Sequence, residues 1–159
     1  MTWPTEPKKL SIHSRVVEVL GRISDDGSFF YTPGQVQGKE THWKEKLSDY
    51  QLSAYFAGAE EAPIHYPGTV VRETFTIVVQ GWIRSPDDEL QNAISRALRD
   101  VRKALFDDMG EGSADCLGAF TLLLQLGPWQ SSPGEGSMEG FGYFRQEFKF
   151  SISGDISSL

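Results

Sequence analysis

The chain has 159 residues, 39% hydrophobic and 23% charged, which suits one packed domain and argues against wholesale disorder. Lys and Arg total 15 against 22 Asp and Glu, a formal net charge of −7 that argues against a general phosphate-binding surface, and no apolar run is long enough for a membrane helix. The lone Cys116 excludes an internal disulfide or a cysteine-based zinc cluster and fits a reducing compartment, and the absence of an apolar core after Lys9 reads against a secreted precursor.

The first ordered element is expected to be a helix from about Lys9 to Ser24. Leu10, His13, Val16, Val17, Val19, Leu20 and Ile23 cover about half its circumference, and Ser11, Ser14, Arg15, Glu18 and Arg22 fill the polar half. Asp25-Asp26-Gly27 then brings turn chemistry. Phe29-Phe30-Tyr31 reads as a short strand, Thr32-Pro33-Gly34 as a turn and Gln35 to Lys39 as extended chain. Glu40 to Asp49 is polar, with Trp43 and Leu47 its only large apolar residues, and reads as a loop or short helical turn. Gln51 to Gly58 reads as a strand, and Ala59 to Gly68, with two prolines, as a surface loop.

Thr69 to Ile83 is the clearest strand. Val71, Phe75, Ile77, Val79 and Ile83 share one face at period two, and the length predicts a bulge or bend with Gly81 as a candidate. The strongest helix follows, with Ser85 as its expected cap, Pro86 in the first turn and Asp88 at the capping-box position. Its apolar arc is Leu90, Ile94, Ala97, Leu98, Val101, Ala104 and Leu105; Arg96, Arg99, Arg102 and Lys103 lie on the expected solvent side. Asp107 to Asp115 reads as a loop. Strands are expected over Ala119 to Leu126 and Tyr143 to Ile152. The Gly, Ser and Pro content of 127–140 between them predicts a long mobile loop.

The organisation is thus a flexible N-terminus (1–8), one domain (9–153) and a frayed tail (154–159). The expected fold class is α+β: a mostly antiparallel sheet of about four to six strands with two amphipathic helices on one face.

Catalytic signatures are scarce. Cys116 reads as a small buried residue. His13 reads as a packing residue at the edge of the helical arc, and His42 and His65 sit in loops without metal-ligand spacing. Gly34 to Lys39 has three residues between its glycines, and Glu40 stands where a phosphate loop needs Ser or Thr. Asp107, Asp108 and Glu111 read as solvated loop charges. Asp107 and Glu111 with a loop histidine remain the enzymatic alternative, and a small-molecule-binding domain another. No metal or cofactor is called for. The aromatic load of four Trp, five Tyr and ten Phe, much of it in segments read as loops, instead favours a subunit of an assembly.

Three stretches carry a resemblance: Leu10 to Ile23 followed by Phe29-Phe30-Tyr31-Thr32; Ala59-Glu60-Glu61-Ala62-Pro63-Ile64 before the strand Val70 to Trp82; and Asp88 to Leu105 with its phrase Leu98-Arg99-Asp100-Val101-Arg102-Lys103-Ala104-Leu105. Over residues 9–153 this pattern resembles the small tail terminator (tail completion) proteins of long-tailed bacteriophages, a head–tail joining family. The resemblance implies a non-enzymatic virion protein in the neck region of the tail, assembled in the host bacterial cytoplasm. It implies a hexameric ring on the head-proximal end of the tail tube that stops tube growth and presents a surface to the neck connector. The implied partners are further copies, the tube protein and connector proteins, with the tail sheath as an additional candidate. DNA would be only passing cargo in the lumen, and no membrane is involved. A neck adaptor or tube-like subunit is the alternative reading. Candidate interface residues are Arg96, Arg99, Arg102, Lys103, Trp129 and Trp43, on the expectation that the second helix's outer face is free and that changes there spare folding.

Overall fold

The computed structural model describes residues 7–40, 48–58, 63–65, 70–85, 89–133, 140–155 and 159. Along them run α1 (Lys8–Gly21), β1 (Gln35–Gln37), β2 (Tyr50–Phe56), β3 (Ile64–His65), β4 (Val70–Arg84), α2 (Leu90–Met109), α3 (Leu117–Phe120), β5 (Leu123–Pro133) and β6 (Phe141–Asp155). The strands form one six-stranded sheet in the order β1-β2-β4-β6-β5, with β3 paired to the start of β4. All pairings are antiparallel except β1 with β2. The architecture is α+β and mostly antiparallel, as the patterning implies, with α3 as a four-residue addition.

The core follows from period two meeting period 3.6. Phe75, Ile77, Val79 and Ile83 of β4, Leu52 and Ala54 of β2, and Phe144, Phe148, Phe150 and Ile152 of β6 are buried in one cluster with both long helices. Phe75 stacks on Phe150, its register partner, at 5.6 Å between centroids, and Phe56 continues the row at 5.9 Å. From α2 the cluster takes Leu90, Ile94, Ala97, Leu98, Val101, Ala104 and Leu105, the expected arc.

In α1 the buried side is rotated from expectation. Ile12 and Arg15 are buried with Val16, Val19 and Leu20, while Leu10 is exposed. Arg15 donates to Asp108 through Nε at 3.0 Å and Nη2 at 2.7 Å, and both side chains are about 95% covered. Asp108 also accepts from the Leu117 amide at 2.8 Å, so one carboxylate ties α1, α2 and α3 together. Asp107 and Asp108 therefore belong to α2, and Asp108 is not a solvated loop charge. Burial alone would raise the Asp108 pKa; the Arg15 and Leu117 donors overcome this and hold it below the usual carboxylate value.

Other expectations are corrected by identifiable contacts. α1 ends at Gly21, where the Arg22 and Ile23 amides turn back onto Val19 and Leu20. Phe29-Phe30-Tyr31 is not a strand, because Asp100 of α2 captures the Phe30 and Tyr31 amides at 2.9 and 3.1 Å. Ser85 is not a helix cap: α2 starts at Leu90 with Glu89 at the cap position, and the Ser85 amide donates to Gly140 O. The remaining cap residues, Pro86 to Asp88, lie outside the described residues, as do His42 and Trp43. Ala119 and Phe120 belong to α3, not a strand. Gly127 to Pro133, expected to be loop, continues β5. β6 runs on to Asp155, and Leu159 packs against the core instead of fraying.

β4 keeps unbroken register with β6 from Val70 to Arg84, so Gly81 marks no bulge. It stands opposite Phe144, whose ring fills the place of a side chain: a Cβ there would lie 2.3 Å from the ring and 3.1 Å from Leu52 Cδ2. Gly81→Ala is therefore expected to lower unfolding free energy by about 2 kcal/mol in urea titration. The double variant Gly81→Ala/Phe144→Leu should recover part of the loss relative to Phe144→Leu alone, and strict additivity would contradict the steric account.

Candidate functional site

The candidate surface lies along the β5 edge and the adjoining flank of α2. β5 is eleven residues long, ends the sheet, and carries no charged residue from Leu123 to Pro133. An edge of this length usually carries lysine, a short strand or a bulge to discourage pairing. Here the devices are a bulge and the prolines Pro128 and Pro133, without any charge. Leu126 stands opposite Phe148 and Trp129 opposite Gln146, so β5 advances three residues while β6 advances two. The extra residue reverses the strand's alternation beyond it. Leu126 and Trp129 consequently share the helix-side face, which unbroken alternation would forbid.

Gln146 holds this irregularity. Buried among the phenylalanines of β6, it donates from Nε2 to Gly127 O at 2.9 Å and to Glu147 O at 2.8 Å. Its Oε1 accepts from Arg102 Nε and Nη2 at 3.0 and 2.5 Å. The Arg102 guanidinium also lies over the Trp129 ring at 5.8 Å. Arg102 is thus half-buried and engaged with β5 and β6, contrary to the expectation of a free solvent-facing side chain.

The rest of the basic stripe grips the segment after α1. Arg96 and Arg99 lie over Phe30 at 5.6 and 5.3 Å, and Arg99 Nη1 donates to Ser28 O at 2.9 Å. Lys103 lies over Phe29 at 5.5 Å and pairs with Asp107. The four cations therefore have aromatic partners within the chain, although Arg99, Phe30 and Trp129 remain about half exposed. Their charge is available to a partner; their geometry is set internally. Trp43 cannot be placed with them, since it lies outside the described residues.

Exposed apolar side chains gather near this edge. Leu123, Leu126 and Trp129 of β5, and Leu122 just before it, are 40–60% exposed; Leu126 and Trp129 lie on the helix-side face, and Leu123, in register with Ser151, on the other. Phe106, 40% exposed, lies one helical turn beyond Arg102, on the side of α2 that Arg102 turns toward Trp129. Sequence reasoning singled out Trp129 and Arg102 but missed Leu122, Leu126 and Phe106, because their apolar character reads as core. The unusual signal was the absence of charge across Leu123 to Pro133.

The chemistry considered for catalysis does not converge among the described residues. Asp107 pairs with Lys103 and Glu111 with Arg15, the latter at 3.2 Å. A hydrogen bond with Asp108 raises the Glu111 pKa. The His13 ring hydrogen-bonds Ala54 O at 2.9 Å and packs on Phe56, His65 is exposed on β3, and Cys116 is buried. Among the described residues, no group of three or more His, Cys, Asp or Glu could hold a metal ion. No helix among them is long and apolar enough to cross a membrane. In comparison with known proteins, no family model and no curated sequence matches the chain.

The Asp100 pKa is raised because desolvation outweighs the Tyr31, Phe30 and Arg99 donors. A raised folded-state carboxyl favours folding when protonated, and that contribution is lost as pH rises through the folded pKa. Asp100→Asn keeps an acceptor for both amides without the buried charge. Its stability relative to wild type should improve between pH 3 and pH 7 in urea titrations, and a decline would contradict the assignment. Arg102→Ala removes the donor pair on Gln146 and the cation over Trp129. It should cost about 1–3 kcal/mol and alter Trp129 emission, whereas Arg96→Ala should remain within about 0.5 kcal/mol of wild type.

Proposed function

We propose that this chain is a ring-forming structural subunit of a bacteriophage tail, a terminator that caps the head-proximal end of the tail tube and offers a docking surface to the neck connector. The observation that carries the reading is the β5 edge: eleven uncharged residues, three of them exposed large apolar side chains, with no strand partner on the outer side among the described residues. Such an edge suits a subunit made to meet other copies. The α+β fold with a mostly antiparallel sheet is the one that the residue patterning over 9–153 predicts.

A ring requires two different surfaces on each copy, so that contacts run head to tail and close. Its partners would be identical copies, the tube protein and the connector, and its place the virion neck. The net charge of −7 suits a channel through which DNA slides without adhering, since a lumen rich in lysine and arginine would retain the backbone.

Electron microscopy of the purified protein with tail tubes tests this. Rings at one tube end, together with arrest of further tube polymerisation, are expected. A protein that stays monomeric by light scattering at every concentration and leaves tubes uncapped and growing would overturn the reading.

A further inference from the structure

Register gathers one apolar patch on the helix side of the β5 edge. A Cβ on Gly142 of β6 would lie 2.6 Å from Ile94 of α2, and Gln146 accepts from Arg102, so α2 and β6 run side by side in one direction. Four more helical residues rise about 6 Å and two more strand residues about 7 Å, which brings Phe106 level with Phe148, the β6 partner of Leu126. Phe106, Leu126 and Trp129 therefore lie together on this flank, and Leu123, on the opposite face, has no part in it. At 40%, 47% and 55% exposure the three present on the order of 300 Å² of largely apolar surface, the size at which a patch on a monomer is often functional.

The opposite side of α2 borders a groove. Ala104, Asp107 and Glu111 recur at helical spacing on the side turned away from Arg102 and Phe106. With Val19 and Ile23 of α1 and with Phe29, they line a space of about 260 Å³ that opens to solvent. Its floor is apolar: Val19, Ile23 and Ala104 belong to the core cluster, and Phe29 packs against it. An apolar cavity of roughly 150 Å³ already holds a benzene ring, so this groove has room for a phenyl side chain. Asp107 and Glu111, although paired within the chain, remain 61% and 48% exposed at its mouth, where Arg22 also stands.

We propose that the groove between α1 and α2 receives the Phe106 ring of a second copy, with that copy's Leu126 and Trp129 covering its mouth. The two surfaces lie on opposite sides of one helix, so filling one leaves the other free. The contact is therefore heterologous, as a closed ring needs. Charge favours this pairing over patch against patch. Arg102 is the charged residue that α2 and β5 bring to the patch, and in the groove it meets Asp107 and Glu111, whereas two patches face to face would oppose Arg102 to Arg102. This inference rests on the ring reading and names the surfaces that build it.

Complementary variants of the full chain test it. Phe106→Asp removes the ring and sets a carboxylate against the groove's own, and Val19→Phe fills the groove from within. Phe106 is exposed and Val19 borders the open space, so circular dichroism should report wild-type folding for both. Each variant alone should remain at the protomer mass of 17.7 kDa under conditions where wild type assembles. Their equimolar mixture keeps one competent ring donor and one competent groove. At the highest attainable concentration it should form a heterodimer of twice that mass that grows no further. If Val19→Phe misfolds, Asp107→Arg, which turns the groove's mouth against Arg102, makes the same comparison.

Wild-type-like assembly of Phe106→Asp, or a mixture that forms no heterodimer, overturns the contact. Phe106→Asp rings that persist but no longer cap tail tubes assign the patch to the tube protein, which overturns the contact while leaving the terminator reading intact. A wild type that remains monomeric, alone and with tail tubes, overturns both.

Discussion

One side-chain amide determines what the β5 edge presents. An inserted strand residue leaves backbone groups out of register, and a buried carbonyl without a donor would cost about 1–3 kcal/mol. Gln146 supplies the Gly127 carbonyl with that donor and is itself held by Arg102. With the bulge satisfied, Trp129 turns toward the helix side and lies under Arg102, on the face shared by Leu126. A strand that alternated without interruption would point the indole to the opposite face. The apolar stripe therefore depends on a polar group placed among phenylalanines, where an apolar residue would pack but could not serve the carbonyl.

Two further buried polar groups fix the frame around that edge. Asp108 joins Arg15 to the Leu117 amide, which holds α1, α2 and α3 in one arrangement. Asp100 gathers the Phe30 and Tyr31 amides against α2, leaving Phe30 beneath Arg96 and Arg99. Such interactions are not large net sources of stability, because desolvation offsets much of the attraction. Their effect is to penalise alternative packings in which a charge or an amide would be buried alone. α2 is consequently fixed from both sides: by the post-α1 segment on one flank and by β5 and β6 on the other.

Long regular elements were the most legible in the sequence. β4 and β6 declare themselves through period-two runs of apolar residues, interrupted by Val78 in β4 and by Gln146 in β6, and α2 through its 3.6-residue arc. Tertiary partners decided the remaining cases. Arg15 looks like a solvent residue until Asp108, 93 positions away, is found opposite it. Phe29-Phe30-Tyr31 has strand composition, yet Asp100 consumes two of its amides. Gly127-Pro128 has turn composition, but a turn there would abandon the β6 pairing that resumes at Trp129. Gly81 was noticed for its backbone freedom when its role is to admit the Phe144 ring. Of the candidate site, Arg102 and Trp129 were named from sequence, but their contact was not, since helical periodicity says nothing about what a distant strand brings across.

The charge distribution along the chain ties these features together. A net charge of −7 resists nonspecific association, and a chain under that pressure alone would place some charge on its longest exposed edge. None falls between Leu123 and Pro133, whereas the neighbouring β6 alternates Arg145, Glu147 and Lys149 on its outward face. The bulge interrupts the edge but leaves its first four residues straight, and so restricts pairing to a short partner without abolishing it. A net negative charge that discourages general association, beside an edge whose straight uncharged stretch is only four residues long, disfavours open-ended strand pairing.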